Sequence, residues 1–398
     1  MKTLIALEMK KMLKNAKFWI LLCVVIAVTI ASLEYRRREL ESVQINRYEQ
    51  LQQHRTEFGA SSVSLQQLAK AKAGMAEQLT YEIPEACAIL QKLEDMTFRQ
   101  AFTCRTNNYE WSMDEMEAHR TRLQTLLDCV LDRSLEVRHL PWDYQDIGAV
   151  QNEIKLMEYC MEHDLTPDQL HRFSGWGHLC WSMQTLTSLV IIPAVFVLGV
   201  DMISKDFAKN GHILPVLFSG SRKKVIVAKL LVLLSCAFIL ALLVCACAFT
   251  CGCIGGAVGE LTEIVRWTDD SEEALLPLEY GSYSAWSTPA RYVSVGTALI
   301  SNAFVESVGI VFACSLVLAL NLLTGSLEAT LGLSAGIWFA LAYLQGSIQS
   351  IRHAWNPVAL LSMDGMAQGN ILGSIFLLLG YCAVINLLAL VIWEGKAL

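Results

Sequence analysis

One string in the sequence has the form of a serine nucleophile motif: Gly332-Leu333-Ser334-Ala335-Gly336 matches G-x-S-x-G. In a hydrolase this motif holds the serine on a strand-to-helix elbow and requires a histidine base. Here Ser334 falls in an apolar stretch that is predicted to be helical, and all eight histidines fall outside the predicted membrane spans. The pattern therefore favours a small-xxx-small face for helix packing, formed by Gly332 and Gly336.

A second group of residues has the chemistry of metal ligands. Five such residues occur within a short stretch of the chain: Cys160, His163, His171, His178 and Cys180. Their spacing matches no common zinc pattern, and it favours surface histidines and packed cysteines. The sequence also contains no CxxC pair, no HExxH helix and no GxxxxGK[ST] phosphate loop. We therefore predict no catalytic residue, no metal and no nucleotide site in this chain.

Two carboxylic acids fall in or beside the predicted spans. Glu306 lies near the outer end of the fourth span, and Glu328 lies at the inner start of the fifth. Ionisable residues inside a membrane are functional candidates by default. Both positions are compatible with a solvated or snorkelling carboxylate, so Glu306 is only a candidate carboxylate at the outer mouth. An ion-coupled transporter would be expected to show central carboxylates or broken helices in matched halves, and neither is evident in the sequence.

The elements that must position these residues are apolar helices. The chain has 398 residues, of which 54% are hydrophobic and only 17% are charged. The uncharged runs 230–259 and 365–393 each exceed the ~20 residues that cross a bilayer as a helix. This composition excludes a disordered chain and argues against a soluble enzyme. We predict an all-α membrane protein with six transmembrane helices at 18–34, 181–203, 228–252, 303–324, 327–348 and 370–393.

The distribution of lysine and arginine predicts the orientation of these spans. The leader 1–17 carries five lysines against one glutamate, and the connection 204–227 is also basic, whereas the loop 253–302 is acidic. Both termini, including the tail 394–398, are therefore expected in the cytoplasm of a protein of the cell membrane, with the loop 349–369 outside. The three arginines at 36–38 are an exception to the rule. Cleavage of the first span as a signal peptide is the less favoured alternative, because its leader is long and no clean cleavage site follows.

The largest polar segment, residues 35–180, is predicted to be a helical extracytoplasmic insertion between spans one and two. Residues 34–180 contain 16 lysines and arginines against 24 aspartates and glutamates. Helix-forming residues dominate, and span one is expected to continue as one helix to about residue 57. Thr166, Pro167 and Gln169 form a predicted capping box. The helix that they begin is expected to end near Gly175.

The leader 1–17 is predicted to be an amphipathic elbow helix. Its apolar residues share one face, and its lysines gather on another, so it could lie along the inner leaflet and contact membrane lipid. The apolar face consists of Ile5, Met9, Met12, Leu13 and Ala16, and the basic face of Lys10, Lys14 and Lys17. The alternative is an ordinary positive flank that only sets the topology.

The basic connection between spans two and three resembles the first cytoplasmic loop of ABC transporter type-2 permeases. The resemblance rests on an acidic residue after span two, a glycine, an apolar pair, a Ser-x-x-Arg turn and a lysine at the start of span three. The matching positions are Asp206, Gly211, Ile213-Leu214, Ser219 with Arg222, and Lys229. Asp206 replaces the usual glutamate, and His212 replaces a frequent threonine. The elbow leader, the six spans and Asn356-Pro357 also look like this family, whereas residues 35–180 do not.

This resemblance implies a permease subunit of an ATP-driven exporter, paired with a second, identical or related permease subunit. ATP and magnesium would be held by separate ATP-binding cassette subunits, and neither a cofactor in this chain nor a nucleic-acid partner is expected. Phe207 or Ile213 would dock in a groove of the ATPase, while Lys205, Lys209 and Arg222 would meet acidic residues. Two alternatives remain open: a basic loop that only sets topology, and a membrane-anchored sensor or scaffold whose outer domain binds a ligand or partner without transport.

Overall fold

The structure is a computed structural model, and it describes most of the chain. The described residues are 2–44, 56, 59–60, 62–63, 86–92, 94–95, 111–135, 140, 144, 146–171, 173–208, 222–268, 290–347, 356–361 and 371–395. The described part is mostly helical. Its α-helices are α1 Lys2–Leu13, α2 Ala16–Gln44, α3 Met113–Leu131, α4 Ile147–His163, α5 Gly175–Leu186, α6 Ile192–Ala208, α7 Arg222–Gly255, α8 Val295–Thr324, α9 Leu327–Ser347, α10 Pro357–Leu360 and α11 Ile371–Gly395.

Three further elements complete the description. A 3₁₀ turn spans Pro167–His171, and a π turn, Thr187–Ile191, joins α5 to α6. Strands β1 Ile264–Thr268 and β2 Ala290–Ser294 pair as a two-stranded sheet. This sheet lies within the segment that the sequence predicts as a loop, so the prediction of an all-α fold is too simple at this point.

Six helical segments of the described part are long and apolar enough to cross a membrane, which is the pattern of a multi-pass membrane protein. They are Ala16–Arg38, Gly175–Met202, Lys223–Gly255, Val295–Thr324, Leu327–Leu344 and Ile375–Ile392. All six predicted spans are found. The fourth begins eight residues before its predicted start at 303, because Ser294 caps it by accepting a hydrogen bond from the Thr297 amide at 3.3 Å.

The chain divides into two compact units. The first comprises residues 1–37, 173–262 and 294–398, and it contains the apolar helices. Helix α8 is at its centre, in contact with α5, α6, α7, α9 and α11. Its buried face includes Val305, Ile310 and Val317, which belong to one continuous apolar core. A helix that is apolar on all sides is expected to take such a central position.

Amide side chains connect α8 to its neighbours. Asn321 donates to the carbonyl oxygens of Gly199 at 3.1 Å and Val200 at 2.7 Å on α6. Asn386 on α11 donates to the Ser315 hydroxyl on α8 at 2.9 Å. Such interhelical hydrogen bonds stabilise helix packing in membranes. The two asparagines are therefore packing residues that fix the register of α6 and α11 on α8.

Glycines permit a close helix crossing in the first unit, between α5 and α7. A Cβ atom built on Gly252 would lie 2.9 Å from the Cα atom of Gly175. A Cβ atom on Gly175 would lie 2.5 Å from the Cys253 sulfur. Only residues without a side chain allow the two backbones to approach so closely. Gly175 thus begins the second span instead of ending the preceding helix, and Ser174 caps it by accepting from the Gly177 amide at 3.0 Å.

The predicted small-xxx-small face on α9 has a different environment. Cβ atoms built on Gly332 and Gly336 would have no described atom within 4 Å. Helix α9 packs through the opposite residues, Leu331, Trp338 and Leu341, into the core formed with α6 and α8. The packing partner predicted for the two glycines therefore does not come from the described residues of this chain.

The second unit comprises residues 38–172 and 263–293. Its helices α3 and α4 pack through an apolar core that includes Leu123, Leu126 and Ile154. Helix α3 begins with a complete capping box in which the Ser112 and Glu115 side chains each accept from the other residue's amide. The described stretches of residues 35–180 thus contain helices, whereas an extracytoplasmic position of this segment stays a prediction. Residues 45–55, into which span one was expected to continue, lie outside the described residues.

The helix predicted to begin at Thr166 is shorter than expected. Gln169 donates its amide proton to the Thr166 carbonyl oxygen at 3.1 Å, and the 3₁₀ turn ends at His171. Proline at the first position starts a helical turn, but a separately capped helix begins at Ser174 only three residues later. A helical turn does begin at Pro167, but the Gln169 side-chain oxygen has no hydrogen-bond partner among the described residues. The predicted capping box and the predicted continuation to Gly175 are therefore both wrong.

Two buried polar side chains of the second unit, His119 and Arg122, are hydrogen-bonded to each other. Arg122 is only 2% exposed; it donates to His119 Nδ1 at 2.9 Å and to the Tyr144 hydroxyl at 3.2 Å. Because arginine has no acceptor, Nδ1 of His119 must accept, and its Nε2–H donates to Glu153 at 2.7 Å. This network ties α3 to α4 beside the apolar core.

Asn152 attaches strand β2 to helix α4. Its side-chain oxygen accepts the Ala290 amide proton at 2.8 Å, and its carbonyl oxygen accepts from the Tyr292 hydroxyl at 3.0 Å. Burial raises the pKa of the Tyr292 phenol, so the group remains a neutral donor at physiological pH. The acidic loop of the sequence prediction thus contributes a strand to the core of the second unit.

Replacing Asn152 by alanine is expected to lower the stability of the full chain by about 1–3 kcal/mol, because the buried Ala290 N–H loses its acceptor. The midpoint of thermal unfolding in detergent, followed by circular dichroism, measures the effect. The control is Gln124→Ala, which removes an exposed hydrogen bond to Asp128 and should change stability by no more than about 0.5 kcal/mol. Equal midpoints for the two variants would contradict the assigned role of Asn152.

Candidate functional site

Charged side chains pair where α1 meets the end of α6 and the start of α7. Lys229 donates to Glu8 at 3.3 Å and to the carbonyl oxygen of Met202 at 2.6 Å. The Lys229 and Glu8 side chains are 5% and 3% exposed. Asp201, also buried, accepts from Lys17 at 3.2 Å and from Asn15 at 3.3 Å. We call Glu8, Lys17, Asp201 and Lys229 the α1 ion-pair cluster.

The local sequence explains how α1 reaches this position. The helix stops at Leu13, and Asn15 forms the turn: its side-chain oxygen accepts from the Lys17 amide at 3.2 Å, and its carbonyl oxygen accepts from the Phe18 amide at 3.0 Å. Helix α2 then begins at Ala16. A short helix and a turn thus occupy the segment that the sequence predicts as an amphipathic elbow, and its position along the inner leaflet stays a prediction.

The apolar face of α1 contacts protein. Ile5, Met9 and Met12 pack into the core beside α7, and Glu8 lies on this same face. Leu13, assigned to that face from the sequence, is 43% exposed. The face is directed towards α7 because the buried ion pair at Glu8 holds it there. Lys10 and Lys14 are exposed, and Lys17 is half-exposed with its ammonium group on Asp201.

Helices α6 and α7 extend into the two ends of the basic connection between spans two and three. The backbone of α6 continues to Ala208, so Lys205, Asp206 and Phe207 lie in its last turns. Arg222 is the first residue of α7. The side chains of these four residues are not described, and Lys209, Gly211 and Ile213 lie outside the described residues. The α1 ion-pair cluster joins the two helices from which this connection extends.

A second group of polar side chains is buried in the first unit, on α8 and on the helical turns next to it. Glu306 is 5% exposed, and Asn302, one helical turn earlier, is fully buried. Thr187 of the π turn lies beside the Glu306 carboxyl group without completing a hydrogen bond to it. Cys180 of α5 is close to both α8 residues, and its sulfur accepts from the Asn302 amide at 3.7 Å. We call Glu306, Asn302, Thr187 and Cys180 the buried polar group.

Burial of Glu306 differs from the solvated or snorkelling carboxylate that the sequence suggested. Position 306 is the twelfth residue of α8, a helix that contacts five neighbours. The earlier start of this helix places Glu306 further inside it than the predicted start at 303 implied. The carboxyl group is enclosed by protein in this structure, so a position at an outer mouth remains a prediction.

The π turn beside Glu306 has a local cause. Pro193 lacks an amide proton, and its ring clashes with the carbonyl group four residues earlier, at Leu189. The helix accommodates the proline by widening over Thr187–Ile191. π turns inside α-helices are frequent at functional sites. Pro193 within an apolar span is the signal in the sequence for this interruption.

The geometry does not support a catalytic serine activated by a histidine base. His178 lies inside the second apolar helix, so the prediction that all histidines fall outside the spans is wrong. Its Nε2 atom is 3.5 Å from the Ser182 hydroxyl, which is longer than the 2.6–3.2 Å range of a nucleophile and its base. The Ser334 hydroxyl has no hydrogen-bond partner among the described residues. Neither serine is held by a base in a way that would activate it.

The candidate metal ligands of the sequence do not form one site. Cys160 and His163 belong to α4 in the second unit, whereas His178 and Cys180 belong to α5 in the first. Across the part of the chain that the structure describes, no three histidine, cysteine, aspartate or glutamate side chains are grouped to hold a metal ion. His163 instead stacks on Tyr159, with ring centroids 4.1 Å apart.

Comparisons of this chain with protein-family models, with curated proteins and with solved structures found no match. Any function therefore has to be argued from the sequence resemblance and from the two polar sites described above.

Proposed function

We propose that this chain is the membrane-spanning permease subunit of an ATP-driven ABC exporter. The observation that carries the proposal is the α1 ion-pair cluster, which ties an N-terminal helix to α6 and α7 on either side of the basic connection. A permease without a nucleotide site needs a firm contact through which an ATPase can move its helices. The connection at 209–221 and the helices that flank it fit that requirement.

The packing indicates how force on the connection would spread. Helices α6 and α7 continue directly from it and both contact α8, which contacts α9 and α11 in turn. A displacement of the connection would therefore tilt two spans that pack on the central helix. The buried Glu8–Lys229 pair would make α1 move with α7, because separating the two charges in a buried site is costly.

In this proposal the residues of the connection have separate roles. Lys205, Lys209 and Arg222 meet acidic residues of the ATPase, while Phe207 or Ile213 enters an apolar groove. Gly211 allows a turn that other residues disfavour. ATP and magnesium bind in the partner, a second permease subunit completes the route, and the termini and the connection face the cytoplasm. The exported substrate is taken up between the paired spans.

Reversing three charges together, with Lys205→Glu, Lys209→Glu and Arg222→Glu, is expected to release the ATPase while the chain still inserts normally. Each exposed ion pair contributes only ~0–1 kcal/mol, so single reversals should have little effect, whereas the triple variant should weaken binding by up to about 100-fold. The measurement is the amount of ATP-binding subunit that co-purifies with the tagged chain from its native membranes.

Two controls distinguish coupling from topology. The variant Lys10→Glu with Lys14→Glu changes exposed charges on the same predicted side of the membrane and should retain the ATPase. Cysteine labelling from outside intact cells should modify an engineered site near Ser61 and spare one near Ser219 in every variant. Undiminished ATPase binding by a correctly inserted triple variant would exclude this connection as the docking site. Absence of any co-purifying ATP-binding subunit from the unmodified chain would overturn the proposal and favour the sensor or scaffold.

A further inference from the structure

We infer that Glu306 is a reversible proton-binding site within the membrane-spanning unit, with the side-chain oxygen of Asn302 as the acceptor for its acidic proton. The inference does not depend on the proposed exporter function. It follows from the composition and burial of the buried polar group.

The buried polar group contains an acceptor to which no described group donates. Oε1 of Glu306, Oδ1 of Asn302 and Oγ1 of Thr187 have no hydrogen-bond partner among the described residues. The Thr187 hydroxyl can donate, and so can the amide nitrogen of Asn302, one proton of which is directed to the Cys180 sulfur, whereas Oδ1 of Asn302 only accepts. An ionised carboxylate also only accepts, so it cannot donate to this oxygen. Protonation turns the same carboxyl group into a donor for Oδ1 of Asn302, which belongs to the residue one helical turn earlier.

The charge of an ionised Glu306 would also lack compensation from the described cations of this unit. Lys229 is engaged by Glu8 and the Met202 carbonyl oxygen, and Lys17 by Asp201. Arg36 lies over the Trp181 ring, 5.6 Å from its centroid. A buried carboxylate without a close cation is far less stable than its neutral form, so the proton is the ligand that this site retains.

The titratable groups that face the site are thiols. Cys180 on α5 and Cys245 on α7 are the described titratable side chains whose charge would be felt by Glu306. Neither supplies a positive charge at any pH. The positive charge of Arg36 acts on Cys180 and His178, which both belong to α5. Titration of the site is therefore dominated by the carboxyl group itself.

The π turn provides a means of changing the affinity of the site for its proton. Thr187 is its first residue, and its hydroxyl lies beside the carboxyl group, where a donated hydrogen bond would favour the ionised form. A π turn contains about one residue more than an α turn, so its conversion to α-helix would rotate the preceding part of the span by about 100°. That rotation would withdraw the Thr187 oxygen from the carboxyl group. Proton binding and the conformation of the second span are thereby linked.

The first test uses dicyclohexylcarbodiimide, an apolar reagent that modifies protonated carboxyl groups, on the full chain in lipid nanodiscs. Peptide mass spectrometry measures the adducts on Glu306 and on Glu328, which is exposed in the first turn of α9. Because the reagent reacts with protonated carboxyl groups in apolar surroundings, we expect clear adduct on the buried Glu306 and little on the exposed Glu328 at pH 7. Equal, low labelling at both positions would overturn the proposal.

The second test does not depend on access of the reagent. Infrared spectroscopy of the same nanodiscs should show the carbonyl band of a protonated carboxyl group at pH 7, and Glu306→Gln should remove it while Glu328→Gln retains it. The band should persist when sodium chloride replaces choline chloride. A band that disappears on addition of sodium would identify Na⁺ as the ligand and overturn the proton assignment. A band that Glu306→Gln leaves unchanged would also overturn it.

Discussion

Replacing Glu8 by leucine is expected to destabilise the protein by about 3–5 kcal/mol, although the residue lies near the N-terminus on a short helix. Glu8 is the buried anionic partner of Lys229, whose ammonium group also donates to the Met202 carbonyl oxygen. Removing one member of a buried ion pair leaves the other charge without compensation in a site that excludes water. Helix α1 should therefore detach from α7, and the ends of α6 and α7 should loosen with it.

The thermal unfolding midpoint in detergent measures this loss, and a double variant tests its cause. Glu8→Leu combined with Lys229→Met removes both charges, so it should recover most of the stability lost by the single substitution. Lys10→Met, at an exposed lysine of the same helix, is the control and should change stability by no more than about 0.5 kcal/mol. A double variant that unfolds at a lower temperature than Glu8→Leu would contradict the assigned pairing.

Gly252→Ala and Gly336→Ala are expected to change stability in opposite directions, although both add one methyl group to an apolar helix. At Gly252 the new methyl would lie 2.9 Å from the Gly175 Cα atom, so α5 and α7 must separate. Such overpacking costs about 1–3 kcal/mol. At Gly336 no described atom lies within 4 Å, and the higher helix propensity of alanine contributes up to about 1 kcal/mol of stabilisation.

Unfolding midpoints of the two single variants, measured in the same detergent, decide between these expectations. Gly332→Ala serves as a second control, since it occupies the same open face of α9. If Gly336→Ala were as destabilising as Gly252→Ala, the open face of α9 would have to pack against residues outside the described part or against another chain. A neutral Gly252→Ala would show that the α5–α7 crossing is looser than in this structure.

Local sequence patterns were sufficient to locate the apolar helices. Hydropathy is a sum over neighbouring residues, so an uncharged run such as 230–259 identifies a helix whatever it packs against. Helix ends were predicted less well. Ser174 and Ser294 cap the second and fourth spans, and both lie before the predicted starts of these spans. A single polar residue next to an apolar run does not change the mean hydropathy of that run, so hydropathy does not reveal such a cap.

The candidate site residues were predictable only in part. The sequence identified the leader helix and the basic connection, both of which depend on local charge and periodicity. It also singled out Glu306, but not the burial of its carboxyl group. That burial depends on where other helices cross α8, and no local window of sequence contains this information.

By itself, the sequence determined that this chain has six apolar helices, a short basic helix before them and a largely helical polar segment between the first two. These properties follow from composition and periodicity over about 20 residues. The tertiary structure alone decided that Glu8 pairs with Lys229, 221 residues away, and that a π turn faces Glu306. It also decided that residues 263–293 join the polar segment as part of the second unit. The physical reason is that ion pairing, burial and strand docking depend on residues that are distant in the chain and meet only after the helices pack.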